Sequence, residues 1–159
     1  MRNIYPGLMA SSILLTNEGH SWRIWLWETQ EDLKRWAERY SSGRTGEPGE
    51  YADTIGLHSP CNVELDGEFQ HIGEIHFVKD RWGLEHVVHE LTHGLFHYVR
   101  CLISDFPRML YLNFMEYEED VCYPFGQVVD MAYRWLWKNN PNPKWQREQR
   151  NEPSRHLGD

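Results

Sequence analysis

The spacing of apolar and polar positions changes period several times along the chain, and each change predicts an element. Residues 21–27 (SWRIWLW) are rich in aromatic and branched side chains and predict a strand. Residues 29–41 (TQEDLKRWAERYS) shift to a helical period. Leu33, Trp36, Ala37 and Tyr40 make one apolar stripe there, and Thr29 with Asp32 resembles a capping box. The Gly- and Pro-containing stretch 42–49 predicts loop. Short strands are expected around 54–58 and 62–65, with Asp66-Gly67 as a turn. Residues 71–78 (HIGEIHFV) carry the best strand pattern after the first, and residues 80–83 predict a turn.

Two long helical patterns follow. Over 84–102, Leu84, Val88, Leu91, Leu95, Tyr98 and Leu102 cluster on one side at 100° per residue, and Pro107 ends any continuation. Over 116–137, Val121, Phe125, Val128, Ala132 and Leu136 form the apolar face. Strands with one helix, then two long helices, predict an α+β fold: a small mixed or antiparallel sheet packed on the two helices. Residues 1–138 are expected to form a single domain, and the polar, Pro-containing 139–159 an extended tail. Residues 4–15 lean apolar and predict no element. Pro6 and Gly7 interrupt them and only Arg2 precedes them, a poor start for a secretion signal. No run approaches the roughly eighteen apolar residues of a spanning helix.

Composition narrows the function classes. The chain has 159 residues, 40% hydrophobic and 14% aromatic, which excludes disorder and suits one domain. Most of the eight Trp are expected in a core or a groove. A net charge of -8 disfavours nucleic acid and anionic membrane as partners. Three cysteines, Cys61, Cys101 and Cys122, lack the spacing of a disulfide framework, so a reducing, cytoplasmic setting is expected.

The chemistry concentrates in His89-Glu90-Leu91-Thr92-His93, an H-E-x-x-H motif on the first long helix. Two His four residues apart lie one turn apart and about 40° around the helix, so both imidazoles can grip one Zn2+ ion. Glu90 points at an angle unsuited to a third metal bond but within reach of a zinc-bound water, as general base. A surface reading, two solvated histidines with no metal, competes with it. The strand pattern 73–78 just before the helix would offer a peptide substrate an edge for β-augmentation.

A third ligand has to come from elsewhere, and Glu116-Tyr117-Glu118-Glu119-Asp120 supplies the candidates. Glu116 and Asp120, four apart, would give a ligand and an acceptor for a ligand imidazole. Glu119 instead shares a face with Tyr123, Gly126 and Asp130, where small and medium residues would let two helices approach. A solvated first turn favoured by the helix dipole accounts for most of these carboxylates. HELTHGLFHYV followed by EEDVCYPFGQVVD resembles the small zincin-like metallopeptidases of phages and mobile elements and, more distantly, the metallopeptidases that cleave repressor-like proteins. The resemblance spans about residues 73–130. It implies a compact zincin-like fold, and maps Glu119 onto the third zinc ligand and Cys122 onto a small-residue position. Cys122 stands where Ala is common and Pro124 where a helix interior is expected, so Glu116 remains the alternative ligand.

The expected function is zinc-dependent hydrolysis of peptide bonds in a specific protein target, with one zinc per chain; the sequence does not set the oligomeric state. The alternative is a zincin fold that keeps its metal and binds a protein partner without cutting it. His86 and His97 extend the histidine stripe, with structural or solvated roles expected. Tyr111, Tyr117 and Tyr123 are candidate oxyanion donors for which packing is the simpler role. Cys122 is expected to be a buried thiol. His20, His58, His71 and His76 have no partner spacing and receive no role.

Overall fold

The computed structural model describes residues 5–40, 54–60, 70–102, 114–141 and 143–144, with backbone alone at 60, 70, 100–102 and 114–120. The elements are β1 (Leu8–Leu15), β2 (His20–Trp27), α1 (Gln30–Tyr40), β3 (Gly56–Pro60), β4 (Gln70–Val78), α2 (Leu84–Leu102) and α3 (Phe114–Asn139). The fold is α+β, as expected: among the described residues, a mixed four-stranded sheet in the order β1-β2-β4-β3 with three helices. β1 pairs antiparallel with β2, β2 parallel with β4, and β4 antiparallel with β3.

Strand alternation divides the interior into two layers. Trp22, Ile24 and Leu26 of β2, with Ile75 and Phe77 of β4, pack with Val87, Leu91 and Tyr98 of α2 and Val128, Ala132 and Leu136 of α3. Trp25 and Trp27 of β2, with Val78 of β4, face the other way and pack on Leu33, Trp36 and Ala37 of α1. Both faces of β2 are buried from Ile24 to Trp27, which explains why that stretch is apolar throughout. The sealing of Trp22, Trp25, Trp27, Trp36 and Trp82 meets the expectation that tryptophan serves the core.

The helices keep their expected positions, with one rotation. Thr29 caps α1: its hydroxyl accepts from the Asp32 amide at 3.2 Å and donates to the Asp32 carboxylate at 2.6 Å. α2 occupies 84–102, but its buried row is Val87, Leu91, Gly94 and Tyr98, while Leu84 and Val88 are 54% and 39% exposed. The apolar count put the stripe one row too far round, because it passed over Val87 and gave a packing glycine no weight. α3 continues through the buried Pro124, and Val128, Ala132 and Leu136 of its expected apolar face are buried.

Three strand expectations need amending. Residues 8–15, for which no element was predicted, form β1, an edge strand whose Met9, Ile13 and Leu15 are exposed. β4 is not an edge: it is paired on both sides, so it offers no free rim to a peptide. Of the two short strands, 54–58 overlaps β3, whereas 62–65 and the Asp66-Gly67 turn lie outside the described residues.

Asn140, placed by sequence in the tail, is buried at the end of α3. Its side-chain oxygen accepts from the Asp80 amide and the Trp82 indole, both at 2.8 Å. Asp80, at φ 61°, makes the tight turn from β4 into α2. The C-terminal end of α3 is thereby tied to the N-terminal end of α2, and the two helices run antiparallel. Among the described residues no helix is long and apolar enough to cross a membrane.

Candidate metal centre

His89 and His93 lie on the side of α2 away from the core, His89 exposed and His93 partly so. The helix brings them together as the spacing requires. Their Nε2 atoms are 3.3 Å apart and the rings stand nearly perpendicular, with centroids 4.9 Å apart. With zinc–nitrogen bonds of about 2.05 Å, that separation subtends about 107° at a shared ion, close to tetrahedral. The same distance also suits an N–H···N hydrogen bond between the two rings.

Glu90 sits differently from its neighbours. It is only 9% exposed and lies between α2 and the edge strand β3. A Cβ built on Gly56 would stand 2.8 Å from Glu90 Oε1 and 3.0 Å from its Cγ, so a larger residue there would displace the carboxylate from this position. One turn further along α2, Gly94 meets β3 and β2 in the same way: a Cβ there would lie 3.1 Å from the Trp22 indole nitrogen and 3.2 Å from His58 Nε2. His58 is buried on β3, with its ring centroid 6.1 Å from that of His97. Gly56, Gly94 and His58 received no role from sequence. A glycine on a strand, and a glycine inside the motif helix immediately after His93, are the available signals.

His86, one turn before the motif, is held below its ordinary pKa by burial, partly offset by Glu85 and reinforced by His89 and Arg81. Tyr123 is 65% exposed and Cys122 is exposed, so neither takes the packing or buried role expected of it. Among the described residues nothing lies within 4 Å of a Cβ built on Gly126, so it eases no helix approach there. Tyr111 lies outside the described residues, as do the side chains of Glu116, Tyr117, Glu118, Glu119 and Asp120. The backbone is informative nonetheless. Gln127 of α3 accepts from the Asn17 amide in the β1–β2 turn, and His20 at that same end stacks edge-on against Tyr98 of α2. The first turns of α3 therefore lie beyond the Tyr98 end of α2 rather than level with His89 and His93. Among the described residues no group of three or more His, Cys, Asp or Glu is gathered to hold a metal. Comparison with protein-family models, with curated proteins and with solved structures finds no match.

Proposed function

We propose that the chain is a zinc-dependent peptidase of the zincin type. The observation that carries this reading is the His89–His93 pair, whose Nε2 separation of 3.3 Å suits a tetrahedral ion. Zinc held there would lower the pKa of a bound water towards neutrality and polarise a carbonyl. The rest of the chemistry falls to the chain itself. Glu90, fixed between α2 and Gly56, accepts the proton of the attacking water and returns it to the departing amine nitrogen. β3, beside Glu90, has no strand on its outer edge among the described residues and is where an extended peptide would add. Glu119 is the proposed third ligand on the resemblance alone, with Glu116 its rival. The offset of the first turns of α3 from the histidine pair weighs against both.

The test is Glu90→Gln, which keeps shape and removes the base. Zinc content and melting temperature stay at the wild-type values, and cleavage falls by roughly 10²–10⁴. A Glu90→Gln protein that folds, holds zinc and keeps its full biological effect would show that hydrolysis is not the function and leave a metal-bearing binding module. A wild-type protein that takes up no zinc on titration would remove the metal itself. Comparing Glu119→Gln with Glu116→Gln in zinc affinity assigns the third ligand, with the larger loss expected at Glu119.

A further inference from the structure

The face of the sheet opposite α2 carries a second candidate site. Tyr5, Trp27, Trp36 and Tyr40 wall a half-open cavity of about 230 Å³, with Arg35 and Arg39 on its rim. Its walls are fixed from both sides. Gly7, at φ 81°, lies so close to α1 that a Cβ would overlap the Asp32 carboxylate, and its carbonyl accepts from the Glu28 amide at 2.8 Å. That clamp sets Tyr5 edge-on to Trp25 and Tyr40, at centroid distances of 5.3 and 5.7 Å. The indoles of Trp27 and Trp36 are buried and form the floor of the cavity, and Trp27 Nε1 donates to His76 beneath it.

Charge at the rim is unbalanced. Arg35 is matched by Asp32 at 2.9 Å. Arg39 lies 5.4 Å above the Tyr40 ring, and among the described residues no carboxylate pairs with it. The cavity thus offers aromatic walls and one uncompensated guanidinium on a chain of net charge -8. We propose that it binds a small planar aromatic carboxylate, the ring laid against the exposed Tyr40 and half-buried Tyr5 side chains and the carboxylate on Arg39. Its volume suits one ring or two fused rings, and the guanidinium fork suits a carboxylate. A free aromatic acid and the C-terminal aromatic residue of a peptide share this chemistry.

Two probes separate those sources, indole-3-acetate and N-acetylphenylalanine, titrated by calorimetry into the full chain. Saturable one-to-one binding is expected with a dissociation constant of about 1 mM or tighter, and the tighter probe identifies the source. The methyl ester of the better probe binds at least about tenfold more weakly, and so does the Arg39→Gln protein, because a charge-assisted hydrogen bond is lost. Tyr40→Ala weakens binding as well. Arg39 and Tyr40 are exposed, so these variants keep the fold, which circular dichroism confirms. His89→Ala leaves binding unchanged, so the result is independent of any metal on the other face. No saturable binding up to about 10 mM, or equal binding by the ester or by Arg39→Gln, overturns the proposal.

Discussion

Histidine is used in opposite ways on the two sides of this sheet. On the α1 side, His76 is completely buried among Trp25, Trp27 and Trp36, the last with its ring centroid 4.0 Å away. Its Nδ1 accepts from Trp27 Nε1 at 3.1 Å, so the neutral ring carries its proton on Nε2. Burial, reinforced by His58, holds its pKa well below the ordinary 6.5. On the other side, His89 and His93 stand out from the core with their Nε2 atoms converging. A ligand needs an accessible lone pair, whereas the one lone pair of His76 is taken up by the Trp27 indole inside the core. The environment that each strand or helix face supplies, more than the residue type, separates structure from chemistry.

The comparison predicts a double dissociation, and that is its largest test. Trp27→Ala removes a sealed indole and the partner of His76 Nδ1. It should cost about 3–5 kcal/mol in denaturant unfolding while the surviving folded protein still takes up zinc. His89→Ala should do the reverse. Metal analysis falls from about one zinc per chain towards none, and metal-free stability stays within about 0.5 kcal/mol. Loss of zinc in folded Trp27→Ala would show that the two sides are not independent.

Gly56→Ala sharpens the contrast at the base. The added methyl forces either β3 or Glu90 to move, for a destabilisation of about 1–3 kcal/mol. Cleavage should fall at least about tenfold with zinc affinity unchanged. Unchanged cleavage would mean that Gly56 only allows packing.

The pH dependence of stability reports on the buried histidine. Its folded pKa lies below its unfolded value, so below about pH 6.5 the unfolded chain binds the proton that the folded chain refuses. Stability is complete above that pH and declines as pH falls, by up to about 1.4 kcal/mol per pH unit from this residue. His20 and His71, also lowered by burial, add in the same direction. His76→Gln should flatten the slope in urea unfolding between pH 6.5 and 5, and an unchanged slope would assign it elsewhere. The smallest effect is at the helix cap. Thr29→Ala should cost about 1 kcal/mol, read as a lower urea midpoint.

Local signals were legible in the sequence and nonlocal ones were not. The cap at Thr29, the period of α1 and the i, i+4 histidines of α2 are all settled within one or two turns, and the structure keeps them. β1 escaped because its solvent side carries Met9, Ile13 and Leu15, leaving no clean alternation. The strand pattern of β4 was plain, but its neighbours come from residues 20–27 and 56–60, a pairing that no window of sequence contains. The burial of Glu90 depends on a missing side chain at Gly56, thirty-four positions away. A third ligand for the proposed metal would be the same kind of problem, since nothing in the motif fixes where another helix starts.

The strand order also dictates when the sheet can close during synthesis. β4 is made last yet sits between β2 and β3, so a nascent chain ending before residue 70 holds three strands and lacks the one that joins them. Until then the inner edges of β2 and β3 stay open, and Trp25 and Trp27 lie on a strand with one neighbour. An N-terminal half made alone would present the open edge and exposed indoles that drive association. The motif helix follows β4 directly, so Glu90 reaches its place against Gly56 only after the sheet has assembled.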